Sequence, residues 1–150
     1  MKNNMNDFQE SLQDLLIENN LNNVKLAGAI GVSEDTISGY FVDGYYPNID
    51  IAIKMGKYLN CSLDFLFGLS DNRYREYDFE SVDILTNFNN NFAMQLKNLG
   101  VSNAKAMKDL KMGEYTMYRW RKGVFPKTIN LIAIAKYLGL SIDYLLGNNE

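Results

Sequence analysis

Pro47-Asn-Ile-Asp-Ile-Ala-Ile-Lys-Met-Gly-Lys-Tyr-Leu-Asn-Cys-Ser-Leu-Asp-Phe-Leu-Phe-Gly68 aligns without a gap on Pro126-Lys-Thr-Ile-Asn-Leu-Ile-Ala-Ile-Ala-Lys-Tyr-Leu-Gly-Leu-Ser-Ile-Asp-Tyr-Leu-Leu-Gly147. The offset is 79 over this stretch. Upstream it becomes 80, with Phe8 falling on Phe88, Leu16 on Leu96 and Ile37 on Met117, so the loop before the second proline is one residue shorter. A match this long fixes domain number and fold together. Residues 24–68 and 104–147 read as two copies of one pattern. The 150 residues then divide into a first domain over 1–70, a connector over 71–87 and a second domain over 88–150. Domains of about 60–65 residues can fold alone when a compact helical core is available.

The apolar spacing is helical. Phe8, Leu12, Leu15 and Leu16 make one stripe, and Phe88, Phe92 and Leu96 recur at intervals of four in the second copy. Breaks at Glu18–Asn23 and Asn98–Asn103 precede short helices expected over about 24–30 and 104–110. Gly31-Val-Ser33 then supplies a turn and a cap for a third helix that carries Ile37 and Tyr40 inward. After a loop with Gly44 and Pro47, a fourth helix runs through Ile53 and Leu59. Ser62 and Ser141 are placed to cap a last short helix in each copy, and Gly68 and Gly147 to end it. The charged stretch 71–78 reads as a connector into a helix starting near Phe79. No period-two run of β-branched residues persists, so no strand is expected.

Composition closes off several functions. With no histidine and Cys61 as the single cysteine, a zinc site, a His-based catalytic dyad and an intrachain disulfide are excluded. A reduced, cytoplasmic setting follows from that cysteine usage. No apolar run is long enough to span a bilayer, and the first seven residues lack the apolar core of a signal peptide. Asp64 and Asp143 sit near helix starts, where carboxylates favour the dipole, and no nucleophile–base pair or phosphate-cradling glycine loop accompanies them. Neither an enzyme nor a cofactor is expected. Net charge is −3, but residues 1–75 hold 6 Lys/Arg against 10 Asp/Glu, and residues 76–150 hold 9 against 8. The halves thus suggest different partners.

Two short helices joined by a glycine-containing turn form a helix-turn-helix, whose second helix can enter a DNA major groove. Leu26-Ala-Gly-Ala-Ile-Gly31-Val-Ser33-Glu-Asp-Thr-Ile37-Ser-Gly-Tyr40 resembles the helix-turn-helix of the Cro/repressor (XRE-type) family. Ala27 matches its small crossing residue, Gly31 its turn and Ile37 its buried anchor. The segments from Pro47 and Pro126 are similar to the family's downstream pattern, and Tyr115 to Pro126 looks like the variant found in phage-type regulators. The resemblance covers about 8–68 and 88–147. It implies an all-α fold of two tandem five-helix, lambda-repressor-like domains that bind double-stranded DNA.

The copies depart from that pattern in opposite ways. The first keeps the scaffold but presents Glu34, Asp35, Ser38, Gly39 and Asp43, with no Lys or Arg from Leu26 through Ile53. Carboxylates facing phosphate oppose docking. The second replaces the turn glycine by Lys111 and the small crossing residue by Met107, which leaves a strained turn, a differently shaped one, or a register slip onto Ala106. Its surface suits DNA. From Gly113 to Lys127 the charged residues are Glu114, Arg119, Arg121, Lys122 and Lys127, net +3.

By resemblance the groove-facing positions are Glu114, Tyr115, Tyr118 and Arg119. Arg119 is of the type that reads guanine O6/N7 and Tyr115 of the type that packs on a thymine methyl. Lys105, Arg121, Lys122 and Lys127 are candidates to hold phosphates, and Asn103 falls where the family places a polar phosphate contact. Trp120 is expected in the core rather than on a base. Phe41, Tyr45 and Tyr46 read either as core or as a dimer or partner surface, since aromatics are enriched at interface centres.

These features point to a sequence-specific, double-stranded-DNA-binding transcriptional regulator of phage or mobile-element type, with most contacts made by the second module. A homodimer or a single-chain pseudo-dimer is expected, with the first module contributing self-association, protein-partner binding or weak contacts to an adjacent site, and no membrane association. The alternative is a protein-binding helix-turn-helix module (antirepressor, antitoxin or inhibitor) that has given up DNA.

Overall fold

A computed structural model describes residues 5–149. Among them are ten helices and no strand, so the architecture is all-α. Tertiary contacts divide the chain into two compact units, Met1–Glu76 and Tyr77–Glu150. The first holds α1 (Asp7–Glu18), α2 (Asn23–Ile30), α3 (Glu34–Val42), α4 (Ile49–Leu59) and α5 (Leu63–Leu66). The second holds α6 (Ile84–Leu99), α7 (Asn103–Asp109), α8 (Thr116–Arg121), α9 (Thr128–Leu138) and α10 (Ile142–Gly147).

Every helix of unit 1 starts on a polar cap. Asn6 and Gln9 form a reciprocal capping box, with Gln9 N donating to Asn6 Oδ1 at 2.8 Å and Asn6 N to Gln9 Oε1 at 2.7 Å. Asn22, Ser33, Asn48 and Ser62 each accept from the backbone three residues on. The apolar stripe of α1 is fully used. Phe8, Leu12, Leu15 and Leu16 are all buried, as are Leu26, Ile37, Tyr40, Met55, Leu63 and Leu66 of the other helices of the unit. The Phe8 ring meets Tyr40 edge-on at 5.8 Å and lies beside Tyr46 and Phe67. Tyr46 therefore belongs to the core rim, Tyr45 is exposed, and Phe41 is half-buried.

Unit 2 rebuilds this core with different side chains. Phe88 and Phe92 pack edge-on against Trp120 at 5.2 and 5.5 Å, so Trp120 occupies the place of Tyr40 and faces inward. Phe125 stands by Phe88 as Tyr46 stands by Phe8. Leu26 and Ala27 become Ala106 and Met107, all four buried. Large and small residues have traded places across the helix crossing, and volume is kept without a register slip.

Two expectations fail on local chemistry. The helix expected near Phe79 begins at Ile84, because Asp83 caps it by accepting from Thr86 N and Oγ1. Phe79 and Ser81 instead have positive φ, which a helix excludes. Gly147 does not end α10 as Gly68 ends α5. Gly68 is left-handed (φ 74°), whereas Gly147 is the last helical residue and Asn148 the cap. Gly147 is required for a different reason, since a Cβ there would fall on the Tyr77 ring.

Candidate nucleic-acid interface

The turn between the second and third helices sets the aim of the third. In unit 1 Gly31 is left-handed (φ 76°), and Val32 N donates to Ala27 O at 3.0 Å. In unit 2 Lys111 takes the same region (φ 57°), and Met112 N donates to Met107 O at 2.9 Å. The two turns share that bond but not the one before it: Gly31 N donates to Ala27 O, whereas Lys111 N donates to Lys108 O, and α7 ends one position earlier than α2. Of the three outcomes open at Lys111, the register slip is the one not realised: the turn is slightly reshaped, and a side chain is held where glycine is favoured, at a cost of roughly 1–2 kcal/mol.

The third helices differ at their starts. Thr36 N donates to Ser33 O and Thr116 N to Gly113 O, both at 3.1 Å. Ser33 adds a side-chain cap, with Oγ accepting from Thr36 N. Gly113 has none to offer, so α8 begins two residues later than its counterpart and has no side-chain cap. Glu114 and Tyr115 consequently lie in the turn ahead of α8, while Tyr118 and Arg119 lie on it.

All nine candidate residues are exposed: Asn103 and Lys105 on α7, Glu114 and Tyr115 in the turn, Tyr118, Arg119 and Arg121 on α8, Lys122 at its C-cap, and Lys127 at the start of α9. Tyr115 and Tyr118 are 68% and 58% exposed, large rings left in water beside cationic groups. Lys122 Nζ stands 5.4 Å from the Tyr118 ring centroid, within cation–π range. Arg119 Nη2 is 3.4 Å from Thr116 Oγ1, a long bond that leaves the guanidinium fork largely unengaged by it. Glu114, Tyr118 and Arg121 line an open groove with Asn103, Met107, Met112, Met117 and Lys108.

Lys105 differs from the other cations. Its Nζ lies 3.1 Å from Asp109 Oδ2, and the same oxygen accepts from Tyr137 Oη at 2.7 Å. The Tyr137 hydroxyl, then Lys105, hold the Asp109 carboxyl below its usual range. Asp109 in turn holds the Tyr137 hydroxyl above its own. A phosphate would have to compete with Asp109 for Lys105. Lys108 was not singled out in the sequence, although it sits three residues after Lys105 on α7 and lines the groove. That i, i+3 spacing was the signal available.

In unit 1 the corresponding surface is acidic. Glu34, Asp35 and Asp43 are exposed, and Ser38 and Gly39 are half-buried. Its groove is lined by Leu16, Ile17, Leu21, Val24, Glu34 and Phe41 among others. The last stretch of unit 1, after α5, is tied back to its helices. Ser62 N donates to Arg73 O and Ser62 Oγ to Asn72 O, both at 3.0 Å. The Arg73 guanidinium pairs with both Glu18 oxygens and lies 4.6 Å from the Phe65 ring centroid.

Residues 12–66 match the family model described as helix-turn-helix. That span runs from the middle of α1 to the end of α5, in unit 1. It marks this unit as a domain of the kind found in XRE-type DNA-binding transcription regulators. No curated protein and no solved structure matches the chain. Among the described residues no helix is long and apolar enough to cross a membrane.

Proposed function

We propose that the chain is a sequence-specific, double-stranded-DNA-binding transcription regulator of phage or mobile-element type, acting in the cytoplasm, in which unit 2 is a second helix-turn-helix module and makes most of the DNA contacts. The observation that carries this reading is the shared exposure of Arg119, Arg121, Lys122 and Lys127, with Tyr115 and Tyr118, on α8 and its flanking loops. Arg119 and Tyr118 would face base edges, while Arg121, Lys122 and Lys127 neutralise phosphates and Asn103 donates from the start of α7. Unit 1 would join copies or bind a protein partner rather than grip DNA, because its third helix offers carboxylates where phosphates must dock.

Binding of short duplexes at low salt tests this. Lys122→Ala should weaken binding to all sequences and flatten the salt dependence by about one unit of slope. Arg119→Ala should cost about 1–3 kcal/mol on a preferred site and relax its specificity. If neither change weakens binding, unit 2 is not the reader.

The helix-turn-helix match lies on the acidic unit, and this favours one second reading: a module that keeps the fold and binds protein instead. Flow-through on a DNA or heparin column supports that rival. Retention with a steep salt dependence supports the regulator.

A further inference from the structure

The two cationic side chains at Lys105 and Lys108 of α7 have different surroundings. Lys105 Nζ lies 3.1 Å from Asp109 Oδ2 and 3.3 Å from Oδ1, one turn further along the helix. Tyr137 of α9 donates its hydroxyl to the same Oδ2 at 2.7 Å. Lys108 instead lines the groove shared with α8, where Tyr118, Arg121 and Glu114 also lie. In unit 1 the counterparts of Lys105 and Tyr137 are Lys25 and Tyr58, so both types are kept, while Gly28-Ala29 stands where unit 2 has Lys108-Asp109. The unit with the basic third helix therefore carries an added cation and an added carboxylate side by side on the helix before it.

Helix stability does not account for Asp109. It is the last residue of α7, where the helix dipole disfavours a carboxylate and favours a cation such as Lys108. The pair runs lysine first and acid second, the weaker order for residues four apart. An exposed ion pair of this kind contributes little to folding. Its effect on a polyanion is larger, because duplex affinity depends on how many phosphates are neutralised. We propose that Asp109, held in place by Tyr137, withholds Lys105 from duplex DNA, so that Lys108 is the phosphate contact of α7. This rests on the DNA-binding reading given above. It does not require a tight ion pair. A phosphate that reaches Lys105 also meets the carboxylate 3.1 Å from the ammonium, and the two charges offset each other. The Asp109 side chain is the less exposed partner, 31% against 63%, and it is fixed from another helix. Lys105 acts on Asp109 through both a hydrogen bond and its charge, whereas Lys108 acts through charge alone and more weakly. On the groove side Arg121 offsets Glu114, which leaves Lys108 as net positive charge.

Affinity of the full chain for a short duplex of mixed sequence, followed by fluorescence anisotropy over a salt series, tests the proposal. Lys108→Gln should flatten the plot of log affinity against log salt by about one unit and weaken binding about tenfold at about 0.05 M salt. Asp109→Asn should release Lys105 and steepen the slope by about one unit. Lys105→Gln with Asp109→Asn removes both charges of the pair and should keep the wild-type slope. All three positions are exposed, and Trp120 fluorescence in urea checks that unit 2 stays folded in each variant. A wild-type slope for Lys108→Gln, a wild-type slope for Asp109→Asn, or a flattened double variant would each overturn the proposal while the DNA-binding reading stands. A wild-type chain that binds no duplex at low salt would overturn both together.

Discussion

Replacing Lys111 by glycine should stabilise unit 2. Lys111 is held at φ 57° by the bond from Met112 N to Met107 O, in the conformation that Gly31 adopts at φ 76°. A Cβ in the left-handed region costs roughly 1–2 kcal/mol, and glycine removes that cost. Glycine's extra freedom in the unfolded chain takes back about 0.4–1 kcal/mol. The net gain is centred near 0.8 kcal/mol within a span of about 0–1.6, which for a domain of this size raises the melting temperature by about 3–6 °C at its centre. Trp120 is the single tryptophan and is buried in the core of unit 2, so its fluorescence reports that unit alone. Unfolding in urea at about 0.5 M salt separates backbone strain from loss of the lysine charge. The reciprocal change is Gly31→Ala. A Cβ at Gly31 meets no atom within 4 Å, so the variant adds strain without a clash and should lose about 1 kcal/mol by circular dichroism. A destabilised Lys111→Gly would refute the claim that the left-handed backbone at Lys111 stores strain.

Gly147→Ala should destabilise unit 2 by about 1–3 kcal/mol in the same urea titration, because the added methyl displaces the Tyr77 ring. Trp120→Ala should cost about 3–5 kcal/mol, read by loss of helical signal on heating, since Phe88 and Phe92 lose their edge-on partner. Asp109 is held below the usual carboxylate range, so its contribution is present above about pH 4 and fades as pH falls through its depressed value. Tyr137→Phe removes the largest cause, and the Asp109 titration followed by NMR should move up toward the ordinary range.

The helical order of each unit was legible because periodicity and caps agree. Phe8, Leu12 and Leu16 on α1 and the acceptors Ser33, Ser62 and Ser141 are visible in the chain, and the structure uses them as read. The buried place of Trp120 was legible from the repeat, as the counterpart of Tyr40. The start of α6 was not. Tyr77 and Phe79 invite packing anywhere, and only the bond from Thr86 N to the Asp83 carboxylate decides where the helix begins. Gly147 looked like a terminator because Gly68 is one, while its real constraint is the Tyr77 ring, seventy residues earlier in the chain. At the candidate interface, charge and exposure of Arg119, Arg121 and Lys122 could be read from helix position. The engagement of Lys105 by Asp109, and of Asp109 by Tyr137 on α9, is a tertiary fact beyond local pattern.

The most direct test is to locate where a duplex touches the chain. Amide hydrogen exchange of the full protein, with and without a saturating short duplex at low salt, reads this segment by segment. The account predicts protection concentrated between Asn103 and Lys127, over α7, α8 and the loop into α9, and fading as salt is raised. Protection centred instead on residues 22–43 of unit 1, or none at any salt, would contradict it.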